Sequence, residues 1–300
     1  APFAVRHVAQ LFLEAGVPPG VVNIVTGGPE AGRALVQSRG VDKIHFTGSP
    51  ATARHILRDA AQNITPCAME LGGKSANVIF ADADLDAAVP HAMQMIIGKS
   101  GQGCIRGTRL LVQDAIYDEV IARCAAIAAG VVLGDPLDEA TTMGPVINEA
   151  ACERIVGMID RARGDGARLV AGGARAGGEL LPGFYVQPTV FGDVDPHSEL
   201  AQQEVFGPVL AITRFSGEEQ AIELANSTDY ALAGYVRTAD AGRAHRVARA
   251  INAGNVWVNG FCGILPNAPF GGNGISGFGR LGGEAGVREF LRERNIWLQL

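Results

Sequence analysis

The sequence predicts an α/β fold organised around an open parallel sheet, on the strength of three observations. Short strand-like apolar runs alternate with amphipathic helical segments along most of the chain, which is the pattern of βαβ units. The 300 residues, 47% of them hydrophobic, exceed what one core usually holds, so we expect two domains or one large α/β unit. The 40 glycines are many, and an α/β protein with numerous tight turns and cofactor loops would use them.

Composition narrows the class of partner. The net charge of −6 argues against nucleic acid or an anionic membrane surface as a partner. No apolar run reaches the length of a membrane span and the N-terminus does not resemble a signal. The odd number of scattered cysteines suits a reducing compartment, so we expect a cytoplasmic protein. The five cysteines are scattered without a Cys-x-x-Cys pair and the six histidines do not cluster, which predicts neither a disulfide framework nor a metal site.

The first part of the chain alternates helix and strand. Apolar spacing predicts an amphipathic helix over residues 4–15, ended by a glycine- and proline-rich turn. The run Val21-Val22-Asn23-Ile24-Val25 has the composition of a buried strand, and a helix near 30–38 follows it. Residues 43–46 are predicted to form the next strand.

The turn Thr47-Gly48-Ser49-Pro50 joins that strand to another helix. Proline at a first helical position with serine before it makes a good helix start. The free amides of such a start, together with the helix dipole, can bind an anion such as a pyrophosphate. From these residues alone, a plain capped helix remains the alternative.

The same alternation continues to the end of the chain. Apolar runs predict strands at residues 76–80, 108–112, 209–213, 231–237 and 255–259. Helical patterns predict helices beginning at residue 82 and over 114–129, 147–163, 217–226 and 240–252. Pro90 should kink the first of these helices. Residues 164–183 are expected to form a short strand and an exposed loop.

Gly101-Gln102-Gly103-Cys104 places a cysteine directly after glycines and ahead of the strand at 108–112. This context favours a tight, open loop, where a thiol can be reached by a substrate and activated as the thiolate. The alternative for any single cysteine is a small buried hydrophobe.

Glu70 stands in an apolar, glycine-rich stretch, Met69-Glu70-Leu71-Gly72-Gly73-Lys74. Burial raises the pKa of a carboxyl group and makes it a usable general base near neutral pH. The alternative is a carboxylate in a salt bridge with Lys74. A nucleophilic thiol and a tuned carboxylate together can form a thioester and then hydrolyse it.

Five motifs of this chain resemble, in order, those of the NAD(P)-dependent aldehyde dehydrogenase superfamily. Two resemble its active-site signatures, Glu70-Leu71-Gly72-Gly73-Lys74 and Gly101-Gln102-Gly103-Cys104. Three more are similar to its remaining motifs: Phe46-Thr47-Gly48-Ser49, Glu204-Val205-Phe206-Gly207-Pro208 and Pro269-Phe270-Gly271-Gly272.

The resemblance implies an incomplete, Rossmann-like cofactor domain with an open parallel sheet, followed by an α/β catalytic domain. We expect residues 1–71 to be the remainder of the cofactor domain, 72–275 the catalytic domain and 276–300 a C-terminal tail. The family binds its cofactor without a Gly-x-Gly-x-x-Gly loop, and this chain has none.

The resemblance also implies a reaction, the oxidation of a small-molecule aldehyde to a carboxylic acid. In it the Cys104 thiolate attacks the aldehyde, hydride leaves to NAD or NADP, and Glu70 activates the water that hydrolyses the thioester. The presence of Glu70 argues against the acylating branch of the superfamily, which lacks this residue.

Further residues match cofactor and substrate positions of the family. The resemblance implies that Gly48 and Ser49 contact the pyrophosphate and that Leu71, Gly72 and Phe206 contact the nicotinamide. It implies that Glu204 binds the nicotinamide ribose hydroxyls. Phe270 is expected either to line the aldehyde channel or to fill the core.

The resemblance covers the later part of a family member. The asparagine that donates to the oxyanion and the residues that distinguish NAD from NADP would lie upstream of Ala1. Because losing one oxyanion donor costs about 100- to 1000-fold in turnover, the alternative function is an impaired or inactive remnant that acts only in association.

The chain ends in a run with strand composition, Ile296-Trp297-Leu298-Gln299-Leu300. An exposed terminal strand is adhesive unless another strand pairs with it. In the family the corresponding segment extends a neighbouring subunit's sheet, so we expect a homodimer or homotetramer. The alternative is a tail that folds back onto its own subunit.

Overall fold

The computed structural model describes residues 2–260 and 263–300, which contain both helices and strands. The α-helices are Pro2–Glu14 (α1), Pro29–Gln37 (α2), Pro50–Ala60 (α3), Leu85–Ile97 (α4), Tyr117–Ala129 (α5), Glu149–Gly164 (α6), Glu199–Gln202 (α7), Glu218–Ala225 (α8), Ala241–Ala250 (α9) and Gly283–Arg288 (α10). The strands are Ile44–Thr47 (β1), Cys67–Glu70 (β2), Ala76–Ile79 (β3), Arg109–Gln113 (β4), Arg168–Ala171 (β5), Thr189–Gly192 (β6), Val209–Phe215 (β7), Tyr230–Ala231 (β8), Ala233–Arg237 (β9), Asn255–Val258 (β10), Asn273–Gly274 (β11) and Gly277–Phe278 (β12).

A seven-stranded sheet is the centre of the larger part of the chain, in the order β10-β9-β3-β4-β7-β6-β5. All neighbouring strands are parallel except β5, which runs antiparallel to β6 at one edge. The predicted α/β fold with an open parallel sheet is therefore confirmed, except that β5 is antiparallel. The central strands β3 and β4 of the sheet are buried and mostly apolar, as expected for parallel strands with helices on both faces.

Each face of the sheet has its own core. On one face Ile79, Leu110 and Ile212 pack with apolar residues of α4 and α5. On the other face Val78 and Leu111 pack with residues of α8 and α9. A third cluster joins α6 to β6 and β7, so the helices predicted from sequence are held by buried apolar stripes.

The chain divides into two compact units, one formed by the chain up to Phe46 together with Ala51–Cys67, the other by Thr47–Pro50 and Ala68–Leu300. The first unit contains α1 and α2 and has a small core around Val36, Ile44 and Ala60. The second contains the seven-stranded sheet and the predicted catalytic and cofactor-binding residues.

The predicted strand at 21–25 is wrong. These residues form no strand in the structure, and Val21 and Val25 are 66% and 70% exposed. A strand is stabilised by hydrogen bonds to a neighbour, and no described segment pairs with this run. Apolar composition alone could not reveal that a partner strand is missing.

The C-terminal run at 296–300 is likewise not a strand in the structure of the single chain. Its side chains are exposed, Trp297 to 94%. Folding back onto its own subunit, the alternative considered from sequence, is therefore not what the structure shows. Strand addition to a second copy stays a prediction.

Candidate active site

Three loops that carry the motif residues enter adjacent parallel strands. The loop after Glu70 leads into β3, the loop of Cys104 into β4, and the loop of Glu204 into β7. Because β3, β4 and β7 are neighbours in the sheet and run in the same direction, these loops meet at the N-terminal ends of the three strands. Residues from positions 70, 104 and 204 are thereby brought together by the strand order.

Backbone contacts hold the three loops against one another. The Gly73 N–H donates to Oε1 of Glu204 at 3.0 Å. A side chain at Gly73 would overlap the carbonyl oxygen of Cys104, and one at Gly72 would overlap the Glu204 carboxylate. The two glycines of the motif are therefore needed for the close approach of neighbouring backbone and carboxylate.

The turn that carries Cys104 is built from left-handed residues. Lys99, Ser100 and Gly101 have φ angles of 54°, 53° and 71°, directly after the end of α4. The Ser100 hydroxyl donates to the carbonyl oxygen of Gly144 at 2.7 Å, and Gly101 lies against the carbonyl of Gly207. Such conformations persist where surrounding contacts hold them, as is common at functional sites.

The Cys104 side chain is partly exposed on this turn, as the sequence predicted. Burial raises the pKa of its thiol, and the Glu204 carboxylate raises it further. The backbone N–H groups of Cys104 and, more weakly, Ile105 lower the pKa of the thiol, and the Glu70 carboxylate raises it slightly. The resting thiol is therefore protonated at neutral pH, so that attack on a substrate requires removal of its proton.

Glu70 ends β2 and is buried, at 4% exposure. Strand β12 pairs with β2 and places Gly277 opposite Glu70. Burial raises the pKa of the Glu70 carboxyl to about 7, with Arg280 opposing the shift, and its Oε2 has no hydrogen-bond partner. A carboxyl with this pKa and a free oxygen can accept a proton from water near neutral pH.

The Glu70–Lys74 salt bridge considered from sequence does not form. Lys74 is 1% exposed and its Nζ has no hydrogen-bond partner. Burial, followed by the positive charge of Arg109, lowers the pKa of Lys74 to about 7, and Glu204 opposes this. The charge of Lys74 therefore acts on Glu204 and not on Glu70.

Arg280 is a residue that the sequence analysis missed. Its guanidinium donates to the carbonyl oxygens of Gly272 and Gly279 at 2.9 and 2.8 Å, and to Oδ1 of Asn273 at 2.7 Å. It lies close enough to Glu70 to lower the pKa of that carboxyl. Nothing in the local sequence pattern distinguishes this arginine from the chain's many others.

Glu204 and Phe206 present groups suited to a dinucleotide. Burial raises the pKa of Glu204, opposed by the Gly73 N–H, Lys74 and Arg154. Within the described ranges no donor contacts its second oxygen, Oε2, which leaves an acceptor for hydroxyl groups. Phe206 has a φ of 48° and is 41% exposed, so an aromatic face is available beside Glu204.

Leu71, Gly72 and Gly48, three of the remaining predicted cofactor residues, take part in backbone hydrogen bonds around Glu70. The Leu71 N–H donates to the Ser276 carbonyl oxygen at 3.0 Å, and the Ser276 hydroxyl donates to the Gly72 carbonyl oxygen at 2.7 Å. The Gly48 N–H donates to the Glu70 carbonyl oxygen at 3.0 Å, and Gly48 and Ser49 are exposed just before α3.

Phe270 is 7% exposed, and its backbone pairs with Leu281 through two hydrogen bonds of 2.7 Å. This burial favours the packing alternative, while the channel-lining role stays a prediction.

Among residues 2–260 and 263–300 no three His, Cys, Asp or Glu side chains are grouped to hold a metal. No helix in those ranges has the length and apolarity that crossing a membrane requires. Cys262 lies outside the described residues.

Comparisons with known proteins relate this chain to a known family. A sequence profile of the aldehyde dehydrogenase family matches residues 1–296. Betaine aldehyde dehydrogenase of Cereibacter sphaeroides (strain ATCC 17029) is 43% identical over 297 residues, covering 99% of this chain and 61% of the relative. Aldehyde dehydrogenase, cytosolic 1, of Mus musculus is 41% identical over 302 residues, covering 100% of this chain and 60% of that protein.

A solved structure shows the same similarity in three dimensions. Betaine aldehyde dehydrogenase of Staphylococcus aureus, in complex with NAD+, matches with a TM-score of 0.91 at 38% identity, covering 95% of this chain and 57% of that one. The chain thus spans about three fifths of the length of the curated relatives it matches.

Proposed function

The chain belongs to the aldehyde dehydrogenase family, and we propose that it oxidises an aldehyde to a carboxylic acid with NAD or NADP. Cys104 is the nucleophile and Glu70 is the base that activates water. The observation that carries this proposal is the meeting of a partly exposed thiol with a buried carboxyl of pKa about 7 at one edge of the sheet.

Cys104 performs the first step. Its sulfur forms a bond to the aldehyde carbon after the thiol proton has left, and the carbonyl becomes tetrahedral. Because the thiol pKa is raised, that proton must be transferred to solvent water or to another acceptor before the sulfur attacks. The N–H groups of Cys104 and Ile105 support the negative sulfur.

A nicotinamide dinucleotide fits the residues beside Cys104. Glu204 would hold the ribose hydroxyls through its free Oε2, Phe206 with Leu71 and Gly72 would hold the nicotinamide, and Gly48 with Ser49 would hold the pyrophosphate. When bound, this cofactor would supply the acceptor for the hydride that the cysteine adduct must lose to become a thioester. Whether NAD or NADP is used rests on residues other than these.

Glu70 completes the cycle. Its carboxylate takes a proton from a water molecule, the water oxygen attacks the thioester carbon, and the Cys104 sulfur leaves as the acid departs. Because the pKa of Glu70 is about 7, roughly half of the molecules have the carboxylate form at neutral pH. Arg280 moderates this pKa, since its positive charge opposes the effect of burial.

An activated ester separates the two roles without requiring cofactor. With 4-nitrophenyl acetate, we expect the Glu70→Gln variant to release a rapid burst of nitrophenol and then to turn over about 100- to 10,000-fold more slowly than the unmodified protein. Glu139→Gln, at an exposed loop glutamate, is the matched control and should leave turnover unchanged. Unchanged steady turnover in Glu70→Gln would remove Glu70 from the role of base.

The exposed C-terminal run favours a second role, association. Ile296, Trp297 and Leu298 are 76%, 94% and 80% exposed, and a second copy of the chain would cover them by strand addition. This assembly accompanies the enzymatic function. It would be the remaining function if Cys104 proved unreactive towards both ester and aldehyde.

A further inference from the structure

The guanidinium of Arg106 lies over the backbone next to Cys104. A Cβ atom added at Gly103 would be 2.9 Å from Nε of Arg106, and one added at Gly98 would be 3.3 and 3.4 Å from its two terminal nitrogens. The guanidinium therefore spans the space between the end of α4 and the nucleophile turn. Cys104 and Arg106 are also within electrostatic reach of each other.

Arg106 has donors to spare. Among the residues that the structure describes, its hydrogen bond is the one from Nη1 to the Gln94 carbonyl oxygen, at 3.2 Å. A guanidinium has five N–H donors in a planar fork. The side chain is half-buried, so the remaining donors face limited solvent beside the thiol and suit an acceptor with two oxygens.

A second guanidinium, that of Arg237, shares His91 and Tyr235 with Arg106 as neighbours. Arg237 is 4% exposed, its Nε has no hydrogen-bond partner, and its Nη2 lies 2.6 Å from Nδ1 of His91. Burial and the charges of Arg237 and Arg106 lower the pKa of His91 to about 4, so the imidazole is neutral at physiological pH. His91 therefore accepts a hydrogen bond from Arg237 without neutralising it.

The carboxylates of the site have cationic neighbours of their own. Glu70 faces Arg280, and Glu204 faces Lys74 and Arg154. By contrast, neither Arg106 nor Arg237 forms an ion pair with a carboxylate in the described part of the chain. In the described part of the chain, the guanidinium of Arg106 beside Cys104 thus lacks a paired carboxylate.

The wall beside this charge is apolar. Tyr235 stacks on Trp257 with ring centroids 5.2 Å apart, and both pack with Met95 and Ile105. The Tyr235 hydroxyl donates to the Ile105 carbonyl oxygen at 2.8 Å, which fixes the backbone between Cys104 and Arg106. A short aliphatic chain ending in an anion matches an apolar wall next to a guanidinium.

We propose that Arg106 selects aldehydes that carry a carboxylate at the far end of their carbon chain, the class of ω-carboxyaldehydes. This inference rests on the proposed function, since it concerns the substrate attacked by Cys104. The carboxylate pairs with the Arg106 fork while the aldehyde carbon meets the sulfur. A cationic aldehyde, such as the betaine aldehyde in the name of the Cereibacter sphaeroides relative, is disfavoured by the positive charge of Arg106.

Turnover of matched substrates tests the selection in the protein with NAD or NADP supplied. We expect Arg106→Gln to lower kcat/KM for a ω-carboxyaldehyde about 10- to 100-fold, the effect of losing a hydrogen bond to a charged group. The uncharged aldehyde of the same chain length should change by less than about threefold. Arg106→Lys should retain part of the preference, and Arg249→Gln, at an exposed arginine, should leave it unchanged.

A second measurement does not depend on dehydrogenase turnover. Cys104 is alkylated with anionic iodoacetate and with neutral iodoacetamide, and the modified peptide is quantified by mass spectrometry. We expect Arg106→Gln to lower the iodoacetate-to-iodoacetamide rate ratio at Cys104 about fivefold. Arg106→Lys should keep the ratio within about twofold of the unmodified protein, because it keeps the charge.

The outcomes distinguish the substrate selection by Arg106 from the proposed catalytic cycle on which it rests. An unchanged alkylation ratio in Arg106→Gln, or equal losses for the charged and uncharged aldehydes, overturns the selection by Arg106. If the ester burst fails while the alkylation ratio falls as expected, the proposed catalytic cycle is wrong but the anion-selecting charge beside Cys104 stands.

Discussion

Glu70 should destabilise the folded chain at high pH, and its replacement should reveal by how much. The pKa of its carboxyl is about 7 in the folded chain against an ordinary 4.5, because burial outweighs the charge of Arg280. Between these two values the unfolded chain has released the proton and the folded chain retains it. Stability therefore falls as the pH rises through this window, and the loss is complete above pH 7.

The magnitude follows from the two pKa values. The ionisation of Glu70 lowers the free energy of unfolding by about 1 kcal/mol at pH 5 and by about 3 kcal/mol at pH 8, as upper limits. Glu70→Gln keeps the shape of the side chain and removes the ionisation. Its stability relative to the unmodified protein should therefore improve by up to about 2 kcal/mol between pH 5 and pH 8.

Urea denaturation at both pH values measures this difference, and the comparison between pH values cancels any effect of the amide itself. Glu139→Gln, at an exposed glutamate, is the control and should show no comparable change. A Glu70→Gln variant whose relative stability is the same at pH 5 and pH 8 would refute the raised pKa, and with it the reason for Glu70 to act as a base near neutral pH.

Three further predictions concern the turn, the cofactor and the assembly. Gly101→Ala should cost about 1–3 kcal/mol of stability and slow alkylation of Cys104, because the φ of Gly101 is 71° and a Cβ there would overlap the Gly207 carbonyl. Gly166→Ala is the matched control, since Gly166 has a φ of 89° but open space around it, and should leave the alkylation of Cys104 unchanged. Glu204→Gln should weaken binding of NAD or NADP about 10-fold or more by calorimetry, and unchanged affinity would contradict its place at the ribose hydroxyls. Removing the chain after Arg294 should reduce the oligomer to monomer or aggregate in light scattering, and an unchanged oligomer would rule out assembly through residues 296–300.

The fold class could be predicted because its evidence is local. Strand-like and helical periodicity lie within short windows, and β3, β4 and α4 follow the predicted elements within a few residues. The strand at 21–25 could not be excluded in this way. Whether an apolar run becomes a strand depends on a partner elsewhere in the chain, and local composition carries no information about that partner.

The sequence motifs single out candidate site residues but carry no information about their arrangement. The motifs identify Glu70, Cys104 and Glu204, yet their meeting depends on the neighbouring order of β3, β4 and β7, which join distant parts of the chain. The roles of Arg106 and Arg280 arise from contacts of single side chains, and arginines have no local sequence signature. The raised pKa of the Cys104 thiol is likewise a property of packing, since burial is its largest cause.

The central claim is that Cys104 forms the covalent intermediate that Glu70 resolves. The most direct test is mass spectrometry of the Glu70→Gln protein quenched seconds after mixing with 4-nitrophenyl acetate. We predict one acetyl group per chain, located on the peptide that contains Cys104, and no such adduct in Cys104→Ser. An acetyl group found elsewhere, or its equal accumulation in the unmodified protein and in Glu70→Gln, would contradict the account.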